Sequence, residues 1–290
     1  MSFQTLISSA ELASRVDDPD HAIVDCRFSQ IDSGQGRRAY MDVHVPGAVY
    51  AHMEEDLSGP GGPGKSGKHP LPSMERFAKT LSGWGIDQRV QVVAYDDSTG
   101  VSAARLWWML RWAGHDNVAV LDGGLQRWRH EGRPVCSGAE QRPPRSFKPA
   151  PRPELNVGID DVMVRTRDPA WKVFDSRTAE RYRGEKETVY PVAGHIPGAL
   201  NAPQTGNVGP DGLFRSREEL RQRFESLAGN TPPERLVFYC GAGVSAAHNL
   251  LAFAYAGLGD AKLYVGSWSE WIADPARAIE TGQPSHFADR

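Results

Sequence analysis

The chain has 290 residues, enough for two domains of ordinary size, and 40% hydrophobic and 24% charged residues are a composition able to build buried cores. A net charge of −3 presents no basic face to nucleic acid or to an anionic membrane, and no apolar run approaches the ~20 residues that cross a bilayer.

The N-terminus, Met1-Ser2-Phe3-Gln4-Thr5-Leu6, lacks the charged and apolar regions of a signal peptide. The first strong strand signal is Ala22-Ile23-Val24-Asp25-Cys26-Arg27, an apolar run ending in Asp-x-Arg. His44-Val45-Pro46-Gly47-Ala48 reads as a turn. Gly59-Pro60-Gly61-Gly62-Pro63-Gly64-Lys65-Ser66 matches the phosphate-loop pattern letter for letter, but the mechanism of that loop needs backbone N–H donors and a following helix. Pro60 and Pro63 carry no N–H, and Gly67-Lys68-His69-Pro70-Leu71-Pro72 cannot start a stable helix, so a surface loop is expected. Gln91-Val92-Val93-Ala94-Tyr95 is the next strand, running into Asp96-Asp97-Ser98-Thr99-Gly100 and a helix. Val120-Leu121-Asp122-Gly123-Gly124, with Trp128, closes this half.

From Arg133 to Glu154 six prolines predict an extended, semi-stiff connector, a linker over 134–154. The same signals then return in the same order. Lys172-Val173-Phe174-Asp175-Ser176-Arg177 repeats the Asp-x-Arg strand. His195-Ile196-Pro197-Gly198-Ala199 repeats the turn, Leu236-Val237-Phe238-Tyr239 the second strand, and Tyr264-Val265-Gly266-Ser267 with Trp271 the ending. Like positions lie 143 to 151 residues apart, so the economical explanation is duplication. Two like domains, 1–133 and 155–290, are expected. Strands alternating with helical stretches give each an α/β fold, a central parallel sheet flanked by helices.

The most informative stretch is Leu236 to Leu250. An apolar strand ends at Cys240. Gly241, Ala242 and Gly243 form a turn, and a helix follows from Ser245 to about Ala256. Open α/β sheets bind ligands at the carboxyl ends of their strands. Gly241 and Gly243 let successive N–H groups curl around an anion, and the helix adds its positive end. Such a cradle favours the thiolate, which is the nucleophile. A buried core cysteine is the bland alternative. Cys26 and Cys136 carry no comparable context. With Cys240 they are too dispersed for a zinc site or a disulfide framework, so no metal and no cofactor is expected, and the reducing cytoplasm is the expected compartment.

These paired motifs together resemble the tandem-domain rhodanese family, a resemblance that covers nearly the whole chain. It implies one active cysteine in the second domain. That cysteine takes sulfane sulfur from a small donor, becomes a persulfide, and passes the sulfur to a nucleophilic acceptor such as cyanide, a thiol or a thioredoxin-like protein. Asp96 stands opposite Cys240 in the first copy, and a carboxylate cannot carry a persulfide, so the first domain is expected to be inactive. Cys240-Gly241-Ala242-Gly243-Val244-Ser245 is the neutral loop of enzymes similar to 3-mercaptopyruvate sulfurtransferase, whereas thiosulfate sulfurtransferases carry basic residues after the cysteine. Arg181 matches a family arginine that grips the donor carboxylate, and a guanidinium fork suits a carboxylate. Two departures stand out. A second substrate arginine is missing from Glu185-Lys186-Glu187-Thr188-Val189-Tyr190, and Ala242 has no hydroxyl for a proton relay. His44 matches the family's first-domain histidine and is a possible site residue, although a structural role within its turn is the simpler reading. Phosphatases of the Cys-x5-Arg type need an arginine where this chain has Ala246, which argues against phosphatase activity. A non-catalytic binding module is the remaining rival.

Overall fold

A computed structural model describes residues 2–61, 66–97 and 99–283. The chain folds into two compact units. The first comprises Met1–Gly59, Leu71–Pro153 and Val208–Phe214; the second comprises Pro60–Pro70, Glu154–Asn207 and Arg215–Arg290.

The first unit is built on five parallel strands: β1 (Leu6–Ile7), β2 (His21–Asp25), β3 (Val49–Tyr50), β4 (Gln91–Tyr95) and β5 (Val118–Leu121), in the order β1-β5-β4-β2-β3. The central strand β4 is buried along its whole length. Parallel strands covered on both faces read as continuous apolar runs, and Val92-Val93-Ala94 is such a run. The helix Val101–Trp112 buries every residue from Ala103 to Leu110. On one side of the sheet Ile23, Val93, Tyr95 and Ala119 pack with Leu12, Leu125 and Trp128 into one core.

The second unit repeats the plan with β6 (Lys172–Asp175), β7 (Leu200–Asn201), β8 (Leu236–Tyr239) and β9 (Lys262–Leu263), all parallel, in the order β7-β6-β8-β9. A parallel bridge from Asn156 to Leu263 stands where β1 pairs β5 in the first unit. The helix Ser245–Tyr255 buries Ala246 through Phe253, and Phe238 packs against Phe174, Phe224 and Phe253. Each Asp-x-Arg strand ends the same way. The Arg27 fork donates to Asp25, and the Arg177 fork to Asp175, with all four side chains buried. A buried pair of this kind is tolerated because every lone pair finds a donor.

Residues 137–152 contain no helix or strand, as their prolines require. Their remaining N–H groups tie them to the first unit: Arg145 donates to Ser82 O, Ala150 to Ala113 O and Arg152 to Trp112 O. The connector is therefore a strap held along the first unit rather than a free spacer. The phosphate-loop pattern is split, because 62–65 lie outside the described residues; no helix follows at 66–73. Instead the Lys68 N–H donates to Ser269 Oγ within the second unit.

Candidate active site

Cys240 follows the last residue of β8 and is buried. Two turns hold it. Its N–H donates to Ser267 Oγ at 3.1 Å, and its carbonyl accepts from the Trp268 N–H at 3.0 Å. The next carbonyl, of Gly241, accepts from the Ser269 N–H at 2.9 Å. Gly243 sits at φ +71°, a conformation a residue with a Cβ rarely adopts, and the helix starts two residues later at Ser245. Among the described residues the amides of Gly241, Ala242 and Val244 have no protein acceptor. A loop that spends its amides this way at a helix N-terminus is equipped for an anion.

The first unit shows what such a loop wants. Asp96 occupies the position of Cys240, and its carbonyl accepts from the Leu125 N–H as Cys240's does from Trp268. Its buried carboxylate accepts from the amides of Gly100, Ser102 and Ala103 at 3.0, 2.8 and 3.2 Å. The first copy thus fills its own anion site with a covalently attached carboxylate. The second copy has a thiol there, and the amides of Gly241, Ala242 and Val244 find no acceptor among the described residues.

The supporting turn differs too. Gly124 and Ser267 occupy equivalent places and share a left-handed backbone, φ +55° and +54°. Among the described residues Ser267 is the only non-glycine with positive φ. A left-handed conformation costs a residue with a Cβ roughly 1–2 kcal/mol. Here the hydroxyl offsets that cost. It accepts from the Cys240 amide and donates to Tyr264 O at 2.8 Å. Strain tolerated beside Cys240 points to a role in holding that residue.

Arg181 lies at the end of a short helix, Ala179–Tyr182. Its fork is already engaged. Nε and Nη2 donate to Glu187 Oε2 and Oε1 at 3.1 and 2.9 Å, leaving Nη1 outside the pair on a side chain 22% exposed. Glu187 also accepts from Arg177 Nη1 at 3.3 Å and from the Val189 amide at 2.8 Å. Burial alone would push the Glu187 carboxyl up, but these donors outweigh it and hold it below the usual carboxylate range. Asp175, Arg177, Arg181 and Glu187 therefore set two cations against two carboxylates.

Tyr190 joins Arg181 to the loop. The guanidinium lies 5.6 Å from the centre of its ring, and a Cβ built on Gly241 would meet the Tyr190 hydroxyl at 2.7 Å. Any side chain at 241 would require Tyr190 to shift. Burial, and then the nearby Cys240, push the Tyr190 phenol up, so it remains a donor beside the thiol. Tyr190 stands in the stretch noted for its missing arginine. The sequence signal for its role is its place in that stretch, while Ser267 has no local signal at all.

The structure brings Cys240, Gly241, Ala242, Gly243, Val244, Ser245 and Arg181 into one unit. His44 belongs to the other unit. It is fully buried, with Nδ1 at 2.7 Å from Tyr40 O and Nε2 at 3.2 Å from Cys136 Sγ. His195 makes the matching contact to Tyr182 O at 2.8 Å. His248 is buried against Asn207. Cys26 is buried and its thiol is pushed well up, first by that burial and then by Asp25.

The family described as "Rhodanese-like domain" matches residues 8–131 and 159–274. A "Probable 3-mercaptopyruvate sulfurtransferase" of Pseudomonas aeruginosa is 44% identical over 283 residues, covering 97% of this chain and 100% of that protein. A "Putative thiosulfate sulfurtransferase" of Mycobacterium tuberculosis is 39% identical over 96% of this chain and 98% of its own length. The solved structure of the Escherichia coli 3-mercaptopyruvate enzyme superposes with a TM-score of 0.79 at 33% identity, over 92% of this chain and all of that one.

Proposed function

From the premise that the chain belongs to the rhodanese family, we propose that it is a sulfurtransferase whose donor is 3-mercaptopyruvate and whose sulfur carrier is Cys240. The observation that carries this reading is the pair of loops. A carboxylate fills the first from within, and the second holds a thiol beneath amides left to a ligand.

The chemistry follows from the residues. The Cys240 thiolate attacks the sulfur of the donor. The S–S bond of a persulfide forms as the donor's C–S bond breaks, and its electron pair leaves on carbon as pyruvate enolate, which takes up a proton. A nucleophilic acceptor then attacks the outer sulfur and restores the thiolate. Amides of the loop stabilise the anionic sulfur in both half-reactions. Tyr190, protonated, can donate to the donor or to the outer sulfur. Arg181 is the cation for the donor's single carboxylate, through Nη1 or by exchange with Glu187. With Ala242 in the loop, no side-chain hydroxyl at that position relays a proton; the neutral loop also offers no side-chain cation to a doubly charged thiosulfate.

The domain reading follows from the same loops. The copy over 1–133 is the inactive one, and the copy over 155–290 is catalytic. No described helix is long and apolar enough to cross a membrane. Three free cysteines suit a reducing cytoplasm, where a thiol or a thioredoxin-like protein would be the acceptor.

Steady-state kinetics with 3-mercaptopyruvate and thiosulfate, side by side and with cyanide as acceptor, test the donor. The expected outcome is a kcat/KM clearly higher for 3-mercaptopyruvate. A higher value for thiosulfate would make the chain a thiosulfate sulfurtransferase, and activity with neither would leave a binding module.

A further inference from the structure

In the first unit a nitrogen, a sulfur and an oxygen donor gather around one point. His44 Nε2 lies 3.2 Å from Cys136 Sγ, Cys136 Sγ lies 3.6 Å from Glu140 Oε1, and His44 Nε2 lies 4.0 Å from the same oxygen. We propose that His44, Cys136 and Glu140 form a binding site for a zinc-class divalent cation, with a fourth coordination position open.

Four features argue for it. The first is the tautomer of His44. Nδ1 is 2.7 Å from the Tyr40 carbonyl, which can only accept, so Nδ1 carries the proton and Nε2 presents its lone pair to the thiol. A metal-bound histidine is oriented in the same way, its other nitrogen donating to a carbonyl. The second is size. Tetrahedral zinc with one N, one S and one O ligand sets N···S and S···O about 3.6 Å apart and N···O about 3.4 Å apart. The three donors match this to within a few tenths of an ångström on two sides and need one small rotation of the Glu140 carboxylate on the third.

The third is that the frame is built before any ion arrives. Cys136 and His44 exchange both backbone hydrogen bonds, at 2.9 and 3.0 Å. Gly138 N–H donates to Met41 O, and Glu140 N–H donates to the Tyr40 hydroxyl at 2.9 Å. The Tyr40 ring stacks on His44 at 4.3 Å. The strap that carries two ligands is thus locked to the helix and turn that carry the third. The fourth is access. His44 is buried, but Glu140 is 39% exposed and lines a cavity of about 410 Å³ with Tyr40, Tyr50 and Arg142. An ion can enter from that side and keep water or a small ligand in its fourth position, as three-ligand zinc sites do.

The equivalent histidine of the second unit does not repeat this donor set. His195 Nε2 faces Glu280 Oε2 at 3.6 Å, and Glu280 replaces Cys136 at the bridge. Imidazole and thiolate together select zinc, cobalt or copper over magnesium and calcium. Binding displaces the Cys136 proton to solvent. The sequence pointed away from a metal because its cysteines are scattered, but this site uses one cysteine and residues 92 apart.

The test uses the full chain carrying Cys240→Ser, which keeps that thiol out of the measurement. Metal-stripped protein is titrated with Co2+ while the thiolate-to-cobalt charge-transfer absorption is followed. The expected result is a band that saturates at one equivalent and is bleached by Zn2+. Cys136→Ser should abolish it. Glu140→Gln, a change at a half-exposed position that leaves the fold alone, should weaken Co2+ binding by at least about tenfold. Absence of the band at excess Co2+, its persistence in Cys136→Ser, or unchanged affinity in Glu140→Gln would overturn the site.

Discussion

Arg181 can hold a donor carboxylate only against a rival already in its fork. Glu187 occupies Nε and Nη2, and it is buried and fixed by the Val189 amide. A donor carboxylate held by Arg181 would therefore compete with an internal carboxylate, and the two arginines near the loop are balanced by two acids. Glu187→Gln should release Arg181 and lower KM for 3-mercaptopyruvate. Arg181→Ala should cut kcat/KM by about ten- to a hundredfold, the worth of a charge-assisted hydrogen bond of roughly 1.5–3 kcal/mol. If Glu187→Gln raises KM as much as Arg181→Ala does, the pair acts as one structural brace and does not gate the donor. The sign of the pH effect is fixed as well. The Glu187 carboxyl is held below its ordinary value, so its contribution is complete at neutral pH and is lost only as pH falls through the acid range. A break in KM between pH 6 and 8 would have to come from another group. Cys240 and Arg181 were legible in the sequence because a Gly-rich turn and a family position marked them. Glu187 was not, since a buried acid in a charged loop looks like any solvated one.

At the scale of the element, the loop and its supporting turn form one device. The strand, the turn and the helix of 236–255 read directly from an apolar run, two glycines and a small-residue stretch, because each depends on local propensity. Two facts needed three dimensions. Asp96 reads as mere negative charge, yet its carboxylate takes three amides of its own loop. Ser267 carries no local signal in the sequence, yet it holds a left-handed backbone behind Cys240. Ser267→Gly relieves the backbone strain but deletes the acceptor for the Cys240 amide, as Ser267→Ala deletes it while keeping the strain. Both should lower kcat, with Ser267→Ala the less stable of the two by about 1 kcal/mol. Equal melting temperatures and unchanged kcat in both variants would show that the hydroxyl does not position the loop.

At the scale of the molecule, the duplication is not a clean cut. The internal repeat was legible because motifs recur in order, and the same four-strand core appears in both units. The exchange of segments was not: Pro60–Pro70, from the first copy, belongs to the second unit, and Val208–Phe214, from the second copy, to the first. No local pattern announces where a proline-rich loop will land. Gly67 sits at φ +75°, where an added Cβ would meet Gly266 O at 2.6 Å, and the neighbouring Lys68 amide binds Ser269 Oγ. Gly266 and Ser269 flank the turn that grips Cys240. Gly67→Ala should therefore reduce activity severalfold while shifting Tm by only a few degrees, because the strain falls on a surface loop. Full activity in that variant would show that the segment is a passive cover.

Transfer of sulfur through Cys240 is tested by mass spectrometry of the protein mixed with 3-mercaptopyruvate in the absence of acceptor. The expected result is one added sulfur atom, located on the peptide that carries Cys240, removed by cyanide and absent from a folded Cys240→Ser variant. An added sulfur on the peptide of Cys26 or Cys136, or turnover at the normal rate in Cys240→Ser, would contradict it.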